Sequence, residues 1–168
     1  MWDQLADEET LEKTVAALKS NGIETVVAAN REEAKKKVLE IIPQNAEVMT
    51  MTSVTLDTIG IAKEINESGK YNSVRNKLFS MDRNTQLAEM NKLGAAPDWT
   101  IGSVHAVTVD GKLLISSNSG SQLPAYAYAS PHVIWVIGAQ KIVKNTDEAI
   151  KRIYEYVLPL EDERAQKA

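Results

Sequence analysis

The order of apolar patches predicts an α/β fold, a three-layer α/β/α arrangement around a mainly parallel, mixed sheet. Three observations carry this. Short β-branched runs alternate with stretches whose apolar residues recur at helical spacing. The run His132-Val133-Ile134-Trp135-Val136-Ile137 is almost continuously apolar, as in a strand covered on both faces. The pair Asp110-Gly111 stands between two alternating runs and marks a hairpin, which adds an antiparallel element.

Taken in order, Leu11, Val15 and Leu18 recur as one face of a helix, and Gly22 stops it. Residues 23–28, Ile-Glu-Thr-Val-Val-Ala, read as a strand. Asn30 with Glu33 resembles a capping box, opening a helix with Ala34, Val38, Leu39 and Ile42 inward and Pro43 at its end. Glu47–Met51 is a second strand. Thr52, Ser53 and Thr55 then lead into Leu56, Ile59 and Ile61, a helix start with Ser53 as cap. Residues 61–95 are mostly polar with helical patches, a turn at Gly69, and a helix over 81–93 that Pro97 terminates.

In the last third, residues 105–109 and 112–115 flank the Asp110-Gly111 pair, the composition of a type I′ turn. A serine-rich loop, Ser116 to Ser121, follows. Leu123–Ala129 reads as a short helix with Pro124 in its first turn. After the His132–Ile137 strand, Thr146 caps a closing helix with Ala149, Ile150, Ile153 and Val157 on its core side. Pro159 ends it, and residues 160–168 form a loose charged tail.

A chain of 168 residues with 43% hydrophobic and 25% charged residues suits one globular domain, 1–168. Its formal net charge of -4 argues against nucleic acid as a partner. No apolar run approaches the length of a membrane span, and the acidic start lacks a signal-peptide pattern, so a cytoplasmic location is expected. There is no cysteine, and the two histidines are His105 and His132. Thiolate ligation of zinc or an iron–sulfur cluster is therefore excluded, and neither a metal nor a cofactor is expected.

Residues 99–164 resemble the LUD family, the lactate-utilisation protein domain. The matching pieces are Ile101-Gly102-Ser103 with His105-Ala106-Val107-Thr108, Asp110-Gly111-Lys112-Leu113, Val133 to Gly138, Lys141-Ile142-Val143, and Glu148-Ala149-Ile150 with Arg152. Ile42-Pro43 and Ser53-Val54-Thr55-Leu56 before Ile59-Gly60 extend the resemblance toward the N-terminus. It implies the fold of CoA transferases, ribose-5-phosphate isomerase and formyltetrahydrofolate cyclo-ligase. It also implies a part in oxidising lactate to pyruvate beside iron–sulfur partner subunits. Against the family pattern, His105 stands in place of an Asn, Gln122 in place of an Arg, and Gln140 in place of the Asn before the lysine. A different small carboxylate or phosphorylated metabolite is thus an alternative substrate, and a non-catalytic assembly or regulatory module is an alternative role.

The candidate site is a small-anion site built from two loops. In an open α/β sheet, ligands collect beyond the carboxyl ends of strands. The first loop supplies Thr52, Ser53 and Thr55; the second supplies Ser117, Ser119, Gly120 and Ser121. Hydroxyls donate to carboxylate or phosphate oxygens, and Gly120 allows close backbone approach. Lys141 adds positive charge, and His105 a hydrogen-bonding or basic group. The plainer alternatives are that Ser53 and Ser121 cap helices, Lys141 is a surface lysine and His105 is structural. The expected partners are a small anionic metabolite, iron–sulfur subunits and a second copy of the chain.

Overall fold

The computed structural model describes residues 2–167. Its strands are β1 (Glu47–Thr50), β2 (Asn72–Ser73), β3 (Trp99–Gly102), β4 (Ala106–Thr108), β5 (Leu113–Leu114), β6 (His132–Trp135) and β7 (Ile142–Val143). Its α-helices are α1 (Glu8–Ser20), α2 (Arg31–Ile41), α3 (Val54–Thr58), α4 (Ile61–Glu67), α5 (Val74–Ser80), α6 (Arg83–Ala95), α7 (Thr146–Arg152) and α8 (Leu158–Gln166). The fold is α/β with a mainly parallel sheet, as the alternation predicts. The chain forms two compact units, passing between them at 27–28, 103–104, 116–117 and 136–137.

The unit made of residues 28–103 and 117–136 holds a four-stranded sheet in the order β2-β1-β3-β6. All its pairings are parallel, with Thr50 opposite Ile101 and Gly102 opposite Trp135. Its core joins Val48 and Ile101 from the sheet to Val38 and Ile42 beside α2, and to Leu56, Ile61 and Ile65 from α3 and α4. Asn30 caps α2 by accepting the Glu33 amide at 2.9 Å, and the Glu33 carboxylate accepts the Ala29 amide at 2.6 Å. Ser53 caps α3, as expected, by accepting from the Leu56 amide. β6 is an edge strand with His132 exposed and residues 133–135 half-buried, so it is not covered on both faces. His132 stacks on Trp99 at 4.2 Å between ring centroids, which makes it a structural residue. Tyr126 is buried and edge-on to Trp135, whereas Tyr128 is exposed.

The other unit, residues 1–27, 104–116 and 137–168, holds a three-stranded sheet in the order β5-β4-β7. β4 pairs antiparallel with β5 and parallel with β7. The Asp110-Gly111 hairpin forms, but not through a type I′ turn. Among residues 109–112 only Gly111 has positive φ, at 82°. Gly111 N–H donates to Thr108 O, and Thr108 N–H donates to Lys112 O, giving a three-residue turn with a bulge. The Thr108 hydroxyl and Lys112 ammonium both donate to the Asp110 carboxylate and lock the turn.

Four further expectations need correction. Residues 23–28 are irregular, and Val26 and Val27 are exposed. A β-branched run becomes a strand only when a neighbour supplies the ladder, and α1 instead ends with Gly22 and Ile23 amides donating to Lys19 and Leu18 carbonyls. Asn145, not Thr146, caps α7, accepting the Glu148 amide at 2.9 Å. Ile150 is exposed, and the core positions of α7 are Ala149 and Arg152. Pro159 does not end the helix. A π-helical turn at Ile153–Val157 widens the ladder so that Leu158 N–H donates to Ile153 O, and Pro159 falls in the first turn of α8, where it has no bond to break. The tail is accordingly helical to Gln166, with Arg164 paired to Glu161.

Asn145→Ala should cost about 1 kcal/mol in urea unfolding, the usual loss for a cap, while Thr146→Ala should cost about half that or less. Gly111→Ala should cost more, about 1–3 kcal/mol, because its Cβ would sit 2.9 Å from the Ala17 carbonyl carbon at a positive φ.

Candidate functional site

In the parallel sheet, β1 lies between β2 and β3. The chain leaves β1 for β2 on one side and returns to β3 on the other, so the crevice between the carboxyl ends of β1 and β3 is the topological switch point. Thr52 and Ser53 follow β1 at this edge, Thr52 exposed and Ser53 half-buried. Thr55 is the second residue of α3 and is half-buried. The loop is held from a residue the sequence reading passed over. Arg75, on α5, donates from Nε to Thr50 O at 2.8 Å and from Nη2 to the Thr52 hydroxyl at 3.1 Å. Burial pushes the Arg75 pKa down, with Asp57 opposing the shift. Beneath, Asn66 links the Thr50 and Ser73 hydroxyls, so the end of β1 is braced by polar side chains.

The serine loop is built differently from the expectation. The strand before it, β5, belongs to the three-stranded sheet rather than the parallel one. The loop closes on itself: the Gly120 amide donates to the Ser117 hydroxyl at 3.1 Å, and the Ser119 hydroxyl donates to that of Ser121 at 3.0 Å. Gly120 has φ 72°, and a Cβ there would meet nothing within 4 Å. The glycine thus serves the turn, not a close approach, and its amide is engaged within the loop.

His105 and Lys141 are neighbours in the other unit. Lys141 closes a 3₁₀ turn, Ala139–Lys141, just before β7, and its ammonium donates to Val104 O at 3.0 Å. Burial, with a smaller contribution from Arg152, pushes its pKa down to about 8. The His105 ring accepts the Ser116 amide on Nδ1 at 3.1 Å. That bond places the proton of the neutral imidazole on Nε2. Burial first, then Lys141 and Arg152, hold the His105 pKa below the ordinary value, with Glu161 opposing.

Arg152 completes this group. It is 3% exposed. Nη1 donates to His105 O at 2.6 Å, Nη2 reaches Trp2 O only at 3.5 Å, and the guanidinium lies 5.1 Å from the Tyr156 ring centroid. Its signal in the sequence was a basic residue three positions after Ala149, on the buried face of a helix. Among the described residues, no ion pair involves Arg152, and no group of three or more His, Cys, Asp or Glu is placed to hold a metal. No helix among them is long and apolar enough to cross a membrane.

The alternation of helices with a mainly parallel sheet defines an α/β protein with a switch-point loop and a buried cationic group. The LUD domain family model matches residues 11–168, and the chain belongs to that lactate-utilisation-related family. No curated protein and no solved structure matches it.

Folding releases the Lys141 proton at about pH 8, whereas an unfolded lysine holds it to about 10.4. Between these values the unfolded chain binds more protons, so stability should rise with pH across that window. Urea titrations of the parent and of Lys141→Met should differ in this slope, the variant being flatter.

Proposed function

We propose that the protein is a component of lactate utilisation that binds a small carboxylate and works with iron–sulfur partner subunits, which carry the electrons of lactate oxidation. Family membership supports the metabolic setting. The observation that carries the ligand class is the grouping of two cations, the buried Arg152 and the half-buried Lys141, around His105 in one unit. Cations withdrawn from water are costly unless an anion or a set of acceptors meets them. A carboxylate bound there would add an acceptor for the Arg152 guanidinium and favour the protonated form of Lys141. In the other unit, Thr52, Ser53 and Thr55 at the switch point, and the hydroxyls of Ser117, Ser119 and Ser121 beside Gly120, are the remaining candidate ligand groups.

Calorimetric titration of the purified chain with lactate and pyruvate tests this. Binding should weaken as pH rises above about 8, because Lys141 loses its charge, and should take up protons near that pH. Lys141→Ala should cost about 1.5–3 kcal/mol of binding, the range for a charge-assisted hydrogen bond. Binding unaffected by this change, or absent altogether, would overturn the reading. Lactate-dependent dye reduction should appear only when a redox partner is added.

A further inference from the structure

We propose that the outer face of α1, with the groove beside it, docks onto the same face of a second copy of this chain, the two α1 helices running antiparallel across a two-fold axis. An open groove of about 400 Å³ lies along α1, lined by Leu11, Val15 and Ala16 from the helix and by Val27 from the segment after it. Val26 and Val27 are 58% and 50% exposed. This β-branched pair has no ladder neighbour, and it holds apolar surface in water next to an apolar groove. Apolar surface gathered in one place marks an association site, whereas single scattered residues do not.

The charges on this face select the partner. Glu8, Glu12 and Lys19 share the lining of the groove, acidic toward the amino end of α1 and basic at its carboxyl end. Among the described residues none of the three forms an ion pair, although Glu9 and Lys13 of the same helix do so at 2.5 Å. Positions 8, 12, 15, 16 and 19 have the spacing of one helix face.

In an antiparallel pair centred between Val15 and Ala16, positions 12 and 19 lie equally far from the centre. Glu12 of each copy then stands level with Lys19 of the other, which gives two ion pairs. Ala16, with the smallest side chain on the face, opposes Val15 where the helices approach most closely. A parallel pair would instead set Glu8, Glu12 and Lys19 each against its own equivalent, and like charges at that distance repel. The antiparallel contact uses the same patch on both copies and closes at two. α1 has 13 residues and is about 20 Å long, so its face with the two valines falls short of the roughly 800 Å² per partner of a standard interface. The dimer is therefore weak and depends on concentration.

Sedimentation velocity of the full chain over a hundredfold range of concentration tests this. The mass should rise from that of one chain toward that of two. Glu12→Lys and Lys19→Glu should each weaken dimerisation tenfold or more, because each sets like charges against one another. Both positions are exposed, so the fold should survive the changes. An equimolar mixture of the two variants should recover a dimer of parental strength, since the reversed charges then face each other. The chain has no cysteine, so Ala16→Cys gives a second readout. Helices packed about 8–10 Å apart bring facing Cα atoms within disulfide reach, and mild oxidation should link two copies. Tyr128→Cys, at a position 95% exposed in the other unit, should not link them. A chain that stays monomeric throughout overturns the proposal. A dimer that ignores both charge reversals, or a mixture of the variants that fails to associate, also overturns it.

Discussion

A charged guanidinium held inside an apolar unit constrains everything packed around it. Arg152 reaches from α7 to the carbonyl of His105, just before β4, and ties the closing helix to the central strand of the three-stranded sheet. Ala106, Val143 and Ala149 form one core cluster of this unit, with Trp2 and Leu114 packed against it. The hydrogen bonds to His105 O and Trp2 O and the Tyr156 ring offset part of the cost of its burial. The π-helical turn belongs to the same arrangement. It contains Tyr156, whose ring lies 5.1 Å from the Arg152 guanidinium, and lets the helix run on through Pro159.

The parallel sheet obeys a different constraint. There the core cluster is aliphatic, and polar side chains are buried at two places: Thr50 at the end of β1, and Thr100 with Ser130, whose hydroxyls are hydrogen-bonded at 2.6 Å. Thr50 is fully buried, its hydroxyl bonded to Asn66 and its carbonyl receiving Arg75. A strand that ends at a switch point cannot hand its last carbonyl to a continuing ladder, so a side chain must satisfy it. Arg75 does this and fixes Thr52 with the same guanidinium.

Much of the fold was legible because periodicity and caps are local signals. The α2 capping box, the Ser53 cap and the hairpin at Gly111 were each readable from a few residues. The errors fell where a distant partner decides. Residues 23–28 have strand composition but no ladder neighbour, and the His132 run has buried composition but an edge position. Pro159 has a helix-breaking identity that a widened turn absorbs. In the site, His105 and Lys141 were legible as isolated polar residues beside strands. Arg152 enters the sequence reading only through the family resemblance and Arg75 not at all, because an arginine inside a helical pattern reads as solvated until the opposite side of its helix is known.

Local rules tend to fail at functional positions, because function retains what stability alone would discard. A leucine or methionine at position 152 would fill the same space beside Tyr156 without a desolvation cost, and such replacements of buried charges are often stabilising. Position 141 presents the same choice, with a lysine whose pKa burial pulls down to about 8 where an apolar residue would rest at no electrostatic cost. Two such positions meet around a histidine whose proton is already directed to Nε2 by a backbone amide. One unmatched cation reads as a structural clamp on a carbonyl. Here the clamp is doubled, Arg152 donating to His105 O and Lys141 to Val104 O, so the two cations hold consecutive carbonyls at the start of β4.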